Sequence, residues 1–460
     1  MLQTPTTANK KKSPLGGSRK GRLASPAAAA QPLLPLPSSA DKAAVLLREA
    51  LVSKAKGDNR GYNYVLLQLQ GVAGSKYAKI PPVWLHALKR CCTLLKPKHT
   101  ELFKVLLSFD WSMGEEAVEL YSDLVLNLIS SNSSHIGPCL EMLVQNLQPR
   151  KGKGGAAEVE VSERIFKYIH QAIARVLELA PTSITPLFSA LSANFPHRRL
   201  DVDTQRFYLS NLLQLTQYCP ALRGSVLSIA VKKALELDVE IELALVAEDE
   251  EEEEEEFLFD LEINGEARRQ EQSEMANKLD VLMGLLFRHL QSLTEGASYE
   301  ERHELFSFML QIFDSMIIKT HKSKYTQFLM FYLCWTEEPF AQNFLGYLLN
   351  KILDPSNHTL TRQTCAAYVG GFLARASFLS ADVMQQTLNV LATWCQNYLD
   401  SCTRNIPDAE LHALFYSVCQ AIFYAVCFKH SAFLLTEDAK QHFASLQLED
   451  IIESSLNPFK

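Results

Sequence analysis

The sequence lacks the short motifs that most nucleotide-binding and hydrolytic enzymes carry. It contains no GxxxxGK phosphate loop, no GxGxxG after a strand, no GxSxG elbow and no HExxH zinc motif. The segment HELFS (303–307) begins like the last of these but has no second histidine. The twelve histidines never pair with cysteines at metal-ligand spacing. We therefore predict no catalytic, metal-binding or cofactor-binding residue, and a protein that is not an enzyme.

Paired cysteines and a secretory signal are also missing. The ten cysteines are scattered without a CxxC pair, so we expect free thiols in a reduced intracellular compartment. No apolar stretch follows the basic amino-terminal residues, as a signal peptide would require. The segment LHALFYSVCQAIFYAVCF (411–428) is uncharged and approaches the length of a membrane span. Its polar residues and its position among similar apolar segments favour a buried core helix, and we predict no membrane partner.

Charge of one sign is concentrated in two segments. The first forty residues hold six Lys or Arg and no acidic residue, whereas EDEEEEEEE (248–256) holds nine acidic residues. The rest of the chain has 39 basic and 43 acidic residues, so it does not resemble a nucleic-acid-binding body, and we expect DNA contact to be indirect or weak at most. Residues 1–42 are predicted as a disordered basic tail. The segment KKKSPLGGSRKGR (10–22) suits a nuclear import signal, while a plain solvated tail and a transit peptide remain alternatives.

A single pattern occupies most of the chain from residue 43 onward. Apolar residues recur at three- and four-residue spacing in roughly seventeen segments, each followed by a short polar break. Val, Ile and Thr do not alternate at period two, so no strand is predicted. This pattern indicates an all-α, HEAT-type helical-repeat solenoid, with an irregular helical bundle as the rival. We divide it into amino-terminal repeats (43–245), an acidic insertion loop (246–274) and carboxy-terminal repeats (275–460). Both a frayed helix and disorder remain open for the Glu run of the insertion.

The segment LDPSNHTLTRQTCAAYVGGFLARASF (353–378) reads as a helix stop, a cap and a new helix, and this helix contains two adjacent glycines, Gly370 and Gly371. Glycine in a helix interior costs about 1 kcal/mol against alanine, so its presence suggests close approach of another backbone. A helix packed between neighbours in a stack has that need. We therefore expect Gly371→Leu to disrupt helix packing and to lower stability by several kcal/mol.

Hydroxyl and arginine side chains near helix ends are the remaining candidates for function. The serines of SSNSS (130–134) and the hydroxyls of PTSIT (181–185) fit helix caps, but a phosphate on them would block or create an interface. Arg362 and Arg375 could contact phosphates weakly, although such arginines more often form ion pairs between repeats.

Several blocks together resemble the RNA polymerase I-specific transcription initiation factor family. Its members carry an FFMFYLC helix, a DPSNP break, a YIGSFLARA helix, an HGPFYSACQAVFY helix and an LNPLK segment. The corresponding blocks here occur in the same order: QFLMFYLC (327–334), DPSN (354–357), YVGGFLARA (368–376), HALFYSVCQAIFY (412–424) and LNPFK (456–460). The family-like packing motif consists of Asp354, Pro355, Ser356, Asn357, Tyr368, Gly370, Gly371, Phe372, Leu373, Ala374 and Arg375.

The resemblance implies a HEAT-repeat scaffold that binds RNA polymerase I subunits and joins them to a promoter-bound core or selectivity factor on ribosomal DNA. It also implies control by phosphorylation, residence in the nucleus and nucleolus, and no cofactor. A generic HEAT-type scaffold or transport adaptor remains the alternative. In the family a serine-bearing surface of the amino-terminal repeats faces the polymerase, and the candidates here are Ser108, Ser130, Ser131, Ser133, Ser134, Thr182 and Ser183.

Three departures from the family pattern qualify these expectations. Ile184 replaces the proline that would create a proline-directed phosphorylation site after Ser183. The early loop is basic, and the acidic run lies in the later insertion instead. Residue 460 falls where family members continue with further helices, so we expect a fragment or a shortened form with incomplete carboxy-terminal repeats.

Overall fold

The computed structural model describes residues 36–459, except 72–74, 97, 151–155, 255–261, 322, 403–405 and 432–436. The described residues form nineteen α-helices. The first ten are α1 (Ala40–Ala55), α2 (Arg60–Gln70), α3 (Pro82–Arg90), α4 (Thr100–Leu107), α5 (Glu115–Ser131), α6 (Ile136–Gln145), α7 (Ala156–Leu179), α8 (Ile184–Ala193), α9 (Val202–Tyr218) and α10 (Arg223–Glu254). The others are α11 (Glu262–Thr294), α12 (Tyr299–Ile312), α13 (Phe328–Thr336), α14 (Glu338–Leu353), α15 (Thr359–Arg375), α16 (Ala381–Ser401), α17 (Ala413–Phe428), α18 (Glu437–Ser445) and α19 (Leu448–Glu453).

The helices are stacked in two layers. From α1 to α13, each odd-numbered helix packs against the next odd-numbered one, and α15 packs against α17. The even-numbered helices from α2 to α16 form the second layer in the same way. Consecutive helices therefore alternate between the two layers. This arrangement confirms the prediction of an all-α solenoid, and within the described ranges only one isolated β-bridge occurs, between Ala78 and Phe109.

Local sequence explains where several helices begin. The Ser39 side chain accepts a hydrogen bond from the Lys42 backbone N–H, and Asp201 does the same for Thr204. Ser298 and Glu301 form a complete capping box at the start of α12. These polar caps satisfy backbone groups that have no partner within the helix, so they fix the helix starts that the polar breaks predict.

A short 3₁₀ turn recurs between the helices of four successive pairs. These turns are Cys92–Leu94, Ser133–His135, Pro181–Ser183 and Pro220–Leu222. In each of the last three turns, the third residue is buried and the first two residues are exposed to solvent. The turns therefore repeat at the level of structure although their sequences have little in common.

The predicted acidic loop over residues 246–274 needs correction. Residues 246–254 continue α10, and residues 262–274 belong to α11. Glutamate is a good helix former, and a helix started by the apolar face upstream extends at low cost. Residues 255–261, between the two helices, lie outside the described residues, as do residues 1–35 of the predicted tail. Residue 40 already begins α1, so the repeats start three residues earlier than predicted.

The helix α17, from the segment considered as a possible membrane span, packs in the solenoid. Phe415, Val418, Cys419 and Ile422 on this helix are fully buried. No helix in the part of the chain that the structure describes combines the length and apolar character needed to cross a bilayer.

Candidate interaction edge

The candidate site lies along one edge of the solenoid. We define the turn edge as the edge where odd-numbered helices end and even-numbered helices begin. The turns after α3 and α5 are joined there, because a ring nitrogen of His135, Nε2, lies 3.2 Å from the Leu95 carbonyl oxygen. The His135 ring also stacks on Phe103 of α4, with ring centroids 4.7 Å apart. The turns after α3 and α5 therefore form one continuous strip of surface.

Most of the predicted hydroxyl residues lie on the turn edge. The exposed ones are Ser130, Ser131, Ser133, Ser134 and Thr182. The Ser131 hydroxyl donates to the Leu128 carbonyl oxygen (2.8 Å), and the Ser134 hydroxyl donates to Asn132 Oδ1 (2.8 Å). Ser134 and Thr182 occupy the same position, the second residue, of successive 3₁₀ turns. Ser131 and Ser134 thus form local hydrogen bonds at the helix ends and are also exposed to solvent.

Two of the predicted hydroxyl residues do not join this group. Ser183 is fully buried, and its hydroxyl donates to the Ala180 carbonyl oxygen at 2.6 Å. Ser108 is half-buried at the end of α4, an even-numbered helix, and therefore lies at the opposite edge. Its backbone carbonyl accepts a hydrogen bond from the Ala78 N–H at 2.7 Å. A single sequence cannot separate Thr182 from Ser183, because only the phase of the turn decides which hydroxyl faces solvent.

The exposed hydroxyls tolerate negative charge. Ser133, Ser134 and Thr182 immediately precede the amino-terminal ends of α6 and α8. A helix amino terminus carries a partial positive charge, so an Asp side chain or a phosphate there is electrostatically favourable. Modification at these positions is therefore expected to change the surface without unfolding the turn.

The DPSN part of the family-like motif forms a turn between α14 and α15. Asp354 accepts hydrogen bonds from the backbone N–H and the hydroxyl of Ser356, both at 2.8 Å. These bonds hold the pKa of the Asp354 carboxyl below its usual value. The Asn357 amide donates to the Lys351 carbonyl oxygen (3.2 Å), and Pro355 occupies the second position of the turn. The four residues act locally, by ending one helix and fixing the angle to the next.

The two glycines of α15 differ in their surroundings. A Cβ atom on Gly370 would lie 2.9 Å from the backbone Cα of Ala421 in α17. A Cβ atom on Gly371 would meet only the guanidinium of Arg375 on the same helix, at 3.3 Å. The close backbone approach is therefore present, but it involves Gly370. The expectation that Gly371→Leu disrupts helix packing is corrected accordingly.

The rest of this motif is part of the core. Tyr368, Phe372, Leu373 and Ala374 are buried, and the Phe372 ring contacts the rings of Phe331 and Phe344 with centroids 4.7 and 5.2 Å apart. The blocks that resemble the family in α13 and α15 thus pack against each other.

The two arginines proposed as weak phosphate contacts have different surroundings. The Arg362 side chain donates from Nε to the Ile352 carbonyl oxygen at 2.7 Å, so it satisfies the end of α14. The Arg375 guanidinium is exposed and lies 5.5 Å from the ring centroid of Tyr424. The structure thus gives Arg362 a capping function, whereas a phosphate contact of Arg375 stays a prediction.

Asp238 is a buried residue that sequence reasoning missed. It lies in α10, is 1% exposed, and accepts backbone hydrogen bonds from Lys324 (3.0 Å), Tyr325 (2.9 Å) and Thr326 (2.9 Å). The Thr326 hydroxyl donates a fourth bond at 3.1 Å. This carboxylate therefore holds the segment that leads into α13. In the sequence LELDVEIEL it looks like one of several residues on a solvated face, so only the tertiary contact reveals it.

The two layers of paired helices, with a polar strip along one edge, define a helical-repeat scaffold. Such proteins bind partners through extended surfaces rather than through a pocket. The chain belongs to the family described as RNA polymerase I specific transcription initiation factor RRN3, whose family model matches residues 38–460. The resemblance noted from the sequence blocks is thus confirmed.

Comparison with individual relatives agrees with this assignment. The RNA polymerase I-specific transcription initiation factor RRN3 of Mus musculus is 30% identical over 82% of this chain. The factor of the same name from Schizosaccharomyces pombe is 28% identical over 86% of the chain. The chain spans 63% of the length of the mouse protein and 70% of that of the yeast protein.

A solved structure of RNA polymerase I transcription initiation factor Rrn3 has the same fold. It superimposes with a TM-score of 0.70 and covers 92% of this chain and 83% of its own, at 20% sequence identity. The two-layer architecture is therefore retained where few residues are identical.

Proposed function

We propose that the chain is a non-enzymatic initiation factor that binds RNA polymerase I and joins it to a promoter-bound core factor on ribosomal DNA. Membership of the family carries this proposal, because the relatives named above are RNA polymerase I-specific initiation factors. Family membership also favours this function over that of a generic scaffold or transport adaptor. Residence in the nucleus and nucleolus follows from the same proposal.

We further propose that the turn edge faces the polymerase. The exposed Ser133, Ser134 and Thr182 lie there in successive repeats, on rigid turns whose backbone is already satisfied. A surface of small hydroxyl groups lets a partner approach closely, and phosphates on it would add close to two negative charges each. This gives a physical route by which phosphorylation would control polymerase binding.

Replacing Ser133, Ser134 and Thr182 together by Asp is expected to weaken binding of purified RNA polymerase I by at least about tenfold. The interface would then bury Asp carboxylates that have no cationic partner, which costs binding free energy. Surface plasmon resonance of the full chain measures this. Ser192→Asp, an exposed change near the end of α8 at the opposite edge, is the control and should bind normally. If the triple variant binds the polymerase as tightly as the unaltered chain does, the contact lies elsewhere on the molecule. Failure of the unaltered chain to bind the polymerase would refute the proposed function itself.

A further inference from the structure

The amino-terminal repeats carry a strong local excess of positive charge. Residues 40–104 contain twelve Lys or Arg and only four Asp or Glu, although the body of the chain as a whole is nearly neutral. Such a local imbalance is costly for a folded surface unless solvent or a partner compensates it. The nearly neutral net charge of the body therefore conceals a basic region within residues 40–104.

Three of these cations gather around one buried ring. We define the lysine cluster as Lys54, at the end of α1, with Lys96 and Lys98, in the turn between α3 and α4. His99 is 6% exposed, and its Nδ1 accepts a hydrogen bond from the Lys96 backbone N–H at 3.2 Å. Burial lowers the pKa of His99, and the charges of Lys98, Lys54 and Lys96 lower it further. The Lys54 ammonium is held 3.4 Å from the centroid of the Tyr62 ring.

Nearby carboxylates do not neutralise the lysine cluster. Asp58 pairs with Arg60 at 3.2 Å, and Glu101 pairs with Lys104 at 3.0 Å. Asp41 pairs with Arg90. Lys54, Lys96 and Lys98 form no salt bridge with any carboxylate that the structure describes. None of the three charges is thus neutralised by a described carboxylate, and Lys96 and Lys98 are exposed to an anionic partner, while the Lys54 ammonium lies against the Tyr62 ring.

The position of the lysine cluster on the turn edge makes it accessible. The turns after α1 and α3 are neighbours, and Lys96 and Lys98 are exposed. The next turn along the edge, within residues 129–140, contains no acidic residue. Adjacent helices are about 8–10 Å apart, which an extended peptide spans in about three residues. A short acidic segment can therefore reach the whole cluster at once.

An exposed apolar side chain beside the lysines, that of Leu94, favours a polypeptide over nucleic acid. Leu94 precedes Lys96 in the same turn and is 38% exposed. A phosphodiester backbone gains nothing from such a group, whereas a peptide with both acidic and apolar side chains buries it.

We propose that the lysine cluster is a docking surface for an acidic segment of a partner protein that also carries apolar side chains. The acidic groups neutralise Lys54, Lys96 and Lys98, and the apolar groups cover Leu94. The inference does not depend on the proposed function, since it rests on charge and exposure in the first two helix pairs.

A labelled synthetic peptide of this chemistry provides the test. The peptide EDEEEEEEEFLFDLE, which copies residues 248–262 of this chain, is titrated with the full chain and followed by fluorescence anisotropy. We expect saturable binding at about 50 mM salt that weakens steeply at higher salt, because the contact is electrostatic. The variant Lys54→Glu, Lys96→Glu, Lys98→Glu should weaken it at least about tenfold.

The matched control is Lys167→Glu, Lys232→Glu, Lys319→Glu, which reverses three exposed lysines on other surfaces and changes the net charge equally. It should bind the peptide like the unaltered chain, and circular dichroism should show that both variants remain folded. A peptide with Ser at positions 257, 258, 259 and 261 should bind at least about threefold more weakly, because the apolar contact is lost. No binding, equal loss in both lysine variants, or no effect of the Ser substitutions would overturn the proposal. Tighter binding of a duplex DNA of similar charge through the same lysines would assign the surface to nucleic acid instead.

Discussion

The substitution Gly370→Leu is expected to lower the free energy of unfolding by about 3 kcal/mol or more. Even the first added carbon would lie 2.9 Å from the Ala421 Cα and 3.2 Å from the Ala421 carbonyl oxygen. Both atoms belong to the backbone of α17, so they cannot move aside as a flexible side chain would. The two helices must separate, and separation reduces the packing of Phe372 and of the fully buried Ile422. Chemical denaturation followed by circular dichroism measures the loss.

The adjacent residue supplies a matched control. Gly371→Leu should change the free energy of unfolding by no more than about 1 kcal/mol, because the only crowding atom is the end of the Arg375 side chain and the helix gains a better helix former. Equal losses for the two variants would show that α15 and α17 do not meet at Gly370. If neither variant lowers the free energy of unfolding, the contact between α15 and α17 at Gly370 can adjust to a larger side chain.

The substitution Asp238→Ala is expected to cost about 4 kcal/mol, an unusually large effect for a single polar side chain. The change removes the acceptor for three consecutive backbone N–H groups and for the Thr326 hydroxyl. Thr326 is fully buried, so its N–H cannot turn to water without opening the segment before α13. Loss of amide hydrogen-exchange protection should therefore concentrate at residues 324–326 and in α13.

Glu242→Ala tests whether the effect belongs to the buried carboxylate rather than to any acidic residue on α10. Glu242 is one helical turn from Asp238 and pairs with Lys324 at 2.7 Å, but the Lys324 side chain is 56% exposed. Exposed ion pairs contribute about 0–1 kcal/mol, so we expect a loss within that range. A comparable loss for Glu242→Ala, or unaltered exchange at residues 324–326 in Asp238→Ala, would contradict the account.

The fold was largely predictable because its signal is local. The spacing of apolar residues identifies helices from a few turns of sequence, and breaks such as residues 354–357 are set by side chains that bond to their own backbone. The order of the helices then leaves few ways to bury every apolar face. The sequence left the acidic run open between a frayed helix and disorder within a loop, because like charges repel in both states. Helix propensity and continuation from upstream decide the outcome for residues 246–254.

The details of the candidate site were less predictable because they depend on distances between elements. The sequence indicates that a glycine is needed in α15, but the choice between Gly370 and Gly371 depends on the rotation of that helix against α17. Similarly, Thr182 and Ser183 are equivalent hydroxyl residues in sequence, and one is exposed while the other is buried. Asp238 and its partners are separated by 86 to 88 residues, and no local pattern can link them.

That long-range tie has a mechanical consequence. In a stack where each helix touches only its near neighbours, a pulling force on the two ends would unravel the array pair by pair from its weakest end. The bonds to Asp238 join α10 to the segment before α13, so the chain between residues 238 and 324, which includes α11 and α12, cannot extend until they break. The middle of the molecule should therefore resist stretching as one block, while the outer helix pairs on either side yield in small separate steps.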